Sequence, residues 1–322
     1  MEKRLIEICR DLCSITAPSG YEDSAITYLE QCIEKKSVFS IVKDRIGNLI
    51  CSYHGTNSNE KTCFMAHVDS AGIFCSSPDN NDKKSWGSLS TWKKEKIDQQ
   101  LFKFLSGAEA IVNFNDKTLI QNGNIRINQG DFGAFKPSFS INEAKITGTF
   151  LDNRIICACL LYFIERLVDS DKSFTFIFTV QEEIGNKGAK AIAHNFHFDK
   201  VYVLDTTVGN LDKSSSSIPI LGQGACIKYC DGSGLCSKRL NKFLLEVANR
   251  NNVLIQKELI DFAGSDIVAF SEHGYDCDFT GISIPCYNMH SPNEIMSTYD
   301  VDCFLNLFRL LLEEYYGAKF AY

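Results

Sequence analysis

The sequence contains no Cys-x-x-Cys pair among its 14 cysteines, which excludes the short-range thiol pairs of zinc and redox motifs. Many of these cysteines lie inside apolar runs, such as Cys157 and Cys159 in RIICACLLYFI. They read as reduced, buried thiols of a cytoplasmic protein and not as a secreted disulfide framework. A signal peptide is lacking too, because the N-terminal MEKRLIEICRDLC is amphipathic and charged. No apolar run reaches the length of a membrane-spanning helix. There is no surplus of positive charge either: a net charge of −7 argues against nucleic acid or a membrane surface as partner. A Gly-x-Ser-x-Gly elbow, a Walker lysine loop and a His-Glu-x-x-His helix are all missing, and GQGAC is only a fragment of a dinucleotide fingerprint. Small-molecule or peptide chemistry is what remains.

What is present is ordinary globular material, 322 residues with 44% hydrophobic and 23% charged side chains, enough for a full core. Residues 4–14 place Leu5, Ile6, Ile8, Cys9 and Leu12 at helical spacing. APSGYEDSAITYLEQCIEKK predicts a second helix, opened by a Ser19/Glu22 capping box. SIVKDRIGNLICSYHG reads as a hairpin around Gly47, and KTCFMAHVDSAG as a buried strand with a polar end. Residues 75–100 are polar without clear periodicity. Short alternating runs follow to about residue 150, with Asn122-Gly123 as a hairpin turn, so residues 75–148 read as an inserted β-rich domain. Beyond them come a helix (153–168), a strand (173–181), a helix (187–195) and a strand (200–205). SKRLNKFLLEVANRNN then reads as a helix, VLIQKELI as a strand and VDCFLNLFRLLLEEYY as a closing helix. This alternation predicts an α/β catalytic domain, residues 1–74 and 149–322, with a mixed, largely parallel sheet flanked by helices. Sites in such sheets form outside the carboxyl ends of the strands.

The acids lie at those ends. FTFIFTVQEEIG, residues 174–185, runs an apolar strand into Glu182 and Glu183, two clustered like charges that need a compensating cation. FMAHVDSAG puts His67 and Asp69 two apart at another strand end, TGTFLDNR sets Asp152 before an apolar helix, VYVLDTT ends on Asp205, and CYNMHSPNE offers His290. Each has an ordinary reading: a polar strand end, a helix N-cap for Asp152, a surface residue. His194, His197, His54 and His273 read as solvent-facing or turn residues. The sum is what points to chemistry, since oxygen and imidazole donors in this mixture suit Zn²⁺ and its neighbours. Five donors exceed one tetrahedral site with a bound water, whereas a two-metal site with one bridging carboxylate accommodates them and serves hydrolysis.

Taken in order, AHVDSAG, DFGAFKP, ITGTFLDNR, VQEEIGNKGA, VLDTT, GQGACIKYCDGSG, FAGSD and IPCYNMHSPNE resemble the tetrahedral, or glutamyl, aminopeptidase family of co-catalytic metallopeptidases over nearly the whole chain. The resemblance implies a phosphopeptidase-like fold, peptide substrates, a homo-oligomer and two divalent ions per subunit, Zn²⁺ with Co²⁺ or Mn²⁺ as alternatives. It implies that His67 and Asp205 hold one metal, Glu183 and His290 the other, and that Asp152 bridges them. Glu182 is then the general base, Asp69 the carboxylate behind a ligand, and Asp266 a candidate for the substrate amine. The family often has acidic residues where Ser70 and Asn153 stand. Two other readings remain beside the aminopeptidase: a related amidohydrolase or carboxypeptidase, and an inactive relative used for assembly or peptide binding.

Overall fold

Side-chain alternation along the central strands decides the layers, in a computed structural model that describes residues 1–57, 60–77, 84–212, 218–232, 234–272 and 276–321. In the strand Thr62–His67, Phe64 and Ala66 face one core, and Cys63 and Met65 face another. The strand Phe174–Thr179 divides Phe174, Phe176 and Phe178 from Ile177 in the same way. So does the strand Lys200–Val208, with Tyr202 and Leu204 opposite Val201 and Val203. Both faces are apolar because both are covered. Helices Lys3–Ser14, Leu151–Arg166 and Thr298–Tyr316 contribute to the larger core, and Lys187–Asn195 and Val268–Ser271 to the smaller. Every residue from Leu151 to Ile164 is buried, as a helix apolar on all sides requires.

These elements build a 12-stranded sheet. Its middle runs Phe174–Thr179, Thr62–His67, Lys200–Val208, Asp278–Tyr287, all mutually parallel. Antiparallel strands flank this run, including Leu49–Tyr53 on one side and Glu294–Ser297 with Lys145–Gly148 on the other. The parallel strands thus point their carboxyl ends to one crevice.

The chain leaves this unit after Asp69 to form a closed barrel, in which Ile73–Ser77, Lys84–Ser88, Thr118–Asn122, Glu109–Asn113, Leu101–Phe104 and Phe132–Phe135 follow one another around the wall. Its own core holds Ile73, Trp86, Phe102, Phe104, Val112, Leu119 and Phe135.

Local expectations fail where tertiary contacts take over. Residues 75–100, polar and without clear periodicity, supply the end of the strand Ile73–Ser77, the strand Lys84–Ser88 and the short helix Lys94–Ile97, pieces too brief to show a period. Asn122-Gly123 ends a strand without making a hairpin, since Thr118–Asn122 is paired on both sides within the barrel and leaves no edge for a return strand. The predicted capping box does not form: neither Ser19 nor Glu22 caps the helix Asp23–Ile33, because Ser19 donates to Asp69 and Glu22 accepts the amides of Gly20 and Gln181. The GQGAC amides are also occupied, with Gly222 and Gly224 both donating to the buried carboxyl of Asp300 at 2.7 Å. All 14 cysteines are free thiols, and among the described residues no helix is long and apolar enough to cross a membrane.

Candidate metal centre

The strand Phe174–Thr179 stops before the paired acids, two residues earlier than the expected end at 181, and the chain then reverses through Gln181 at φ 58°. Two buried carboxylates grip the turn. Asp69 accepts the amide of Glu182 on Oδ1 at 3.0 Å and that of Glu183 on Oδ2 at 3.1 Å. Glu22 accepts the amide of Gln181 at 3.1 Å. Gly185 follows at φ 107°, a conformation glycine adopts without a Cβ penalty. Burial, reinforced by the nearby charge of Asp69, pushes the Glu22 carboxyl up to about 7.

His67 closes its strand and turns Nε2 to two acids, 3.2 Å from Asp152 Oδ1 and 3.4 Å from Asp205 Oδ1. Its buried Nδ1 faces Asp69 Oδ1 at 3.5 Å without making a hydrogen bond. Asp69 is fully buried and accepts the Ser19 hydroxyl at 2.6 Å as well.

Asp152 does not cap its helix. It sits at φ −77°, ψ 108°, inside a kink at the helix start, with a cis peptide to Asn153. Its side chain is turned instead toward the crevice, where Oδ1 accepts the Thr206 hydroxyl at 2.8 Å and Oδ2 stands 3.2 Å from His290 Nε2. His290 Nε2 is also 3.2 Å from Glu183 Oε1. His290 has φ 56°, a left-handed conformation that costs a non-glycine residue roughly 1–3 kcal/mol and recurs where function fixes the backbone. Glu294 holds it there, accepting the amides of His290 at 2.9 Å and of Asp152 at 3.2 Å.

The electrostatics answer the question raised by the paired acids. Burial opposes charge on both imidazoles, yet Asp152, Asp205 and Asp69 raise His67, and Glu183 and Asp152 raise His290, well above the usual histidine range. Asp152 is held low, against its burial, by His290 and His67, while burial raises Asp205. Glu182 is pushed well above the carboxylate range by burial, with Asp266, Glu183 and Asp205 adding to it. Among the described residues, the recorded ion pairs of Asp152, Glu183 and Asp205 are all with these two histidines.

Those donors form two sets, His67–Asp152–Asp205 and Asp152–Glu183–His290, each with its ligand atoms within 4.8 Å of one another and both using Asp152. Mixed imidazole and carboxylate donors at such separations fit divalent cations of the zinc group. Burial of this many acids beside two imidazoles leaves negative charge for a cation to balance.

Glu182 is in neither set. Its Oε1 accepts Asn186 Nδ2 at 3.0 Å, and the same nitrogen lies 3.1 Å from Asp266 Oδ1. Asp266, expected near the substrate amine, also accepts the Thr179 hydroxyl at 2.6 Å, and burial raises it to about 6. Ser70 and Asn153 bond to the carbonyls of Ala17 and Leu204. His54, near Ser40, and His194 and His197 are exposed; His273 lies outside the described residues. Sequence reasoning read Glu22 only as a helix cap and gave no role to Asn186, Thr206 or Glu294, although these three lie within the motifs VQEEIGNKGA, VLDTT and IPCYNMHSPNE.

The model of the M42 glutamyl aminopeptidase family matches residues 112–307. A relative from Acetivibrio thermocellus, which carries a provisional aminopeptidase name, is 27% identical and covers 97% of this chain and 98% of its own. The solved aminopeptidase of Desulfurococcus kamchatkensis has a TM-score of 0.89 at 23% identity, over 97% of this chain and 95% of its own. The TET1 peptidase of Pyrococcus horikoshii, which assembles into a tetrahedron or a large octahedral shell, has a TM-score of 0.82 at 22% identity, over 95% and 98%.

Proposed function

This chain belongs to the M42 glutamyl aminopeptidase family of co-catalytic metallopeptidases, and from that premise we propose that it removes N-terminal residues from peptides, using two divalent cations for which Asp152 would be a shared ligand. The observation that carries this reading is the Asp152 carboxylate, which offers one oxygen to the His67 set and the other to the His290 set. His67 and Asp205 would complete one site, Glu183 and His290 the other. Zn²⁺ suits the donors, with Co²⁺ and Mn²⁺ as alternatives. When bound, such ions polarise the scissile carbonyl and acidify the attacking water.

The rest falls to the chain. Asp69 orients His67 through the Nδ1 side and, through two amides, sets the turn that carries Glu182 and Glu183. Glu183 binds while Glu182, held at Oε1 by Asn186, handles protons. Its carboxylate takes a proton as the water oxygen attacks the carbonyl carbon and delivers it to the amine nitrogen as the C–N bond breaks. The products are a free amino acid and a peptide one residue shorter. Self-association, as in the TET1 peptidase, and a reducing cytoplasmic setting for the free thiols complete the reading.

A panel of aminoacyl amides tests it, assayed after chelation and again after Zn²⁺, Co²⁺ or Mn²⁺ is restored. Activity should vanish and return. Full turnover in the chelated protein, or cleavage confined to free C-termini, would overturn it.

A further inference from the structure

Asp69 and Glu294 of the α/β unit hold the backbone of Glu183 and His290, but the side-chain contacts around the two donor sets come from different parts of the fold. On the His67 side, the neighbours come from the α/β unit: Thr206 bonds Asp152 through its hydroxyl and Asp205 Oδ1 through its amide at 2.8 Å, and Asp69 backs His67. On the His290 side, three contacts come from one segment inside the barrel sequence. The Ser90 hydroxyl donates to Glu183 Oε2 at 3.1 Å. The Trp92 ring stands edge-on to His290 with centroids 6.4 Å apart, and Lys96 donates to the carbonyl of Met289, the residue before His290.

This segment is tied to the barrel core. Trp92 packs edge-on against Phe135 and Phe102 at 5.3 and 6.1 Å, and Ile97 is fully buried in that core. Ser90 occupies the Glu183 oxygen that does not face His290, so it fixes the rotation of the carboxylate and leaves Oε1 aimed at Asp152's partner. A ligand held in one rotamer loses less freedom on binding an ion.

We propose that Ser90 and Trp92 are positioning residues for the Glu183–His290 cation, so that the barrel contributes to occupancy of this half of the centre and not to that of the His67–Asp205 half. The proposal rests on the two-cation reading above and deepens it.

Co²⁺ titration of chelated protein tests it, followed by visible absorption and, in a Trp86→Phe background that leaves Trp92 as the sole tryptophan, by Trp92 emission. The wild type should take up two equivalents, with Trp92 responding to one of them. Ser90→Ala, read by both signals, should weaken the Trp92-reported equivalent about 10- to 100-fold and leave the other unchanged, Ser90→Thr should keep it near the wild-type affinity, and Trp92→Leu, read by absorption alone, should weaken one equivalent of the two. Equal weakening of both equivalents, or no change in either, would overturn the proposal while sparing the metallopeptidase reading. A wild type that takes up no cation would overturn that reading, and the proposal with it.

Discussion

Glu294 accepts the backbone amide of Asp152 at 3.2 Å across 142 residues of sequence. The same carboxyl accepts the amide of His290 at 2.9 Å, so one buried side chain, 3% exposed, fixes the spacing of two ligand-bearing segments. Burial, with the nearby charge of Asp152 adding to it, raises its carboxyl to about 8. Glu294→Ala leaves two amides without their acceptor and should cost about 1–3 kcal/mol for each that stays buried, read by urea unfolding. Cation affinity should fall as well, while Glu294→Gln, which keeps an acceptor for one amide and turns an NH2 donor toward the other, should recover only part of either loss. A Glu294→Ala protein as stable as the wild type would show that the amides find other partners.

Glu182 and Glu183 are adjacent but should separate cleanly in a mutant pair. Glu182→Gln removes the proton carrier and leaves both donor sets, so turnover should drop about 10²- to 10⁴-fold with cation stoichiometry unchanged. Glu183→Gln should lose cation affinity first. Full activity in Glu182→Gln would refute the assignment of the base.

Asp152 faces both imidazoles, and removing its charge should be felt by both. In chelated Asp152→Asn protein, the pKa values of His67 and His290 should fall, because a carboxylate that favoured the imidazolium has gone. Proton NMR of the imidazole C–H signals reads this directly. If one histidine kept its wild-type titration, Asp152 would not be shared as the distances indicate.

Asp300 offers a pH test remote from the centre. Burial raises its carboxyl to about 6, against the opposing pull of the Gly222 and Gly224 amides. The folded state therefore keeps a proton that the unfolded chain loses near 3.8. Its stabilising contribution is complete below that value and is lost as pH rises through about 6, on the order of 3 kcal/mol. The stability difference between wild type and Asp300→Asn should change over this window and be flat above it. Parallel stability curves from pH 4 to 7 would contradict the shift.

The sequence alone carried the α/β order and the strand ends. Apolar alternation and helical spacing are local properties, written within ten to twenty residues, and acids at the ends of apolar strands cannot be core. The family resemblance was likewise legible, because its motifs are short and ordered.

The family resemblance implied which acids group together, and only the tertiary structure shows what surrounds and holds each of them. Asp152 reads locally as a helix cap, and nothing nearby indicates that its two oxygens face histidines 85 residues before it and 138 after it. Glu22 completes a plausible local cap, yet it is taken by a distant turn, since the part-buried amide of Gln181 requires an acceptor more than an exposed helix start does. Strand pairing on both sides cancelled the Asn122-Gly123 hairpin, and barrel closure brought Ser90 to Glu183. Local chemistry determined what each residue could do; burial, which drives most polar groups to a partner wherever the fold supplies one, decided what each one does.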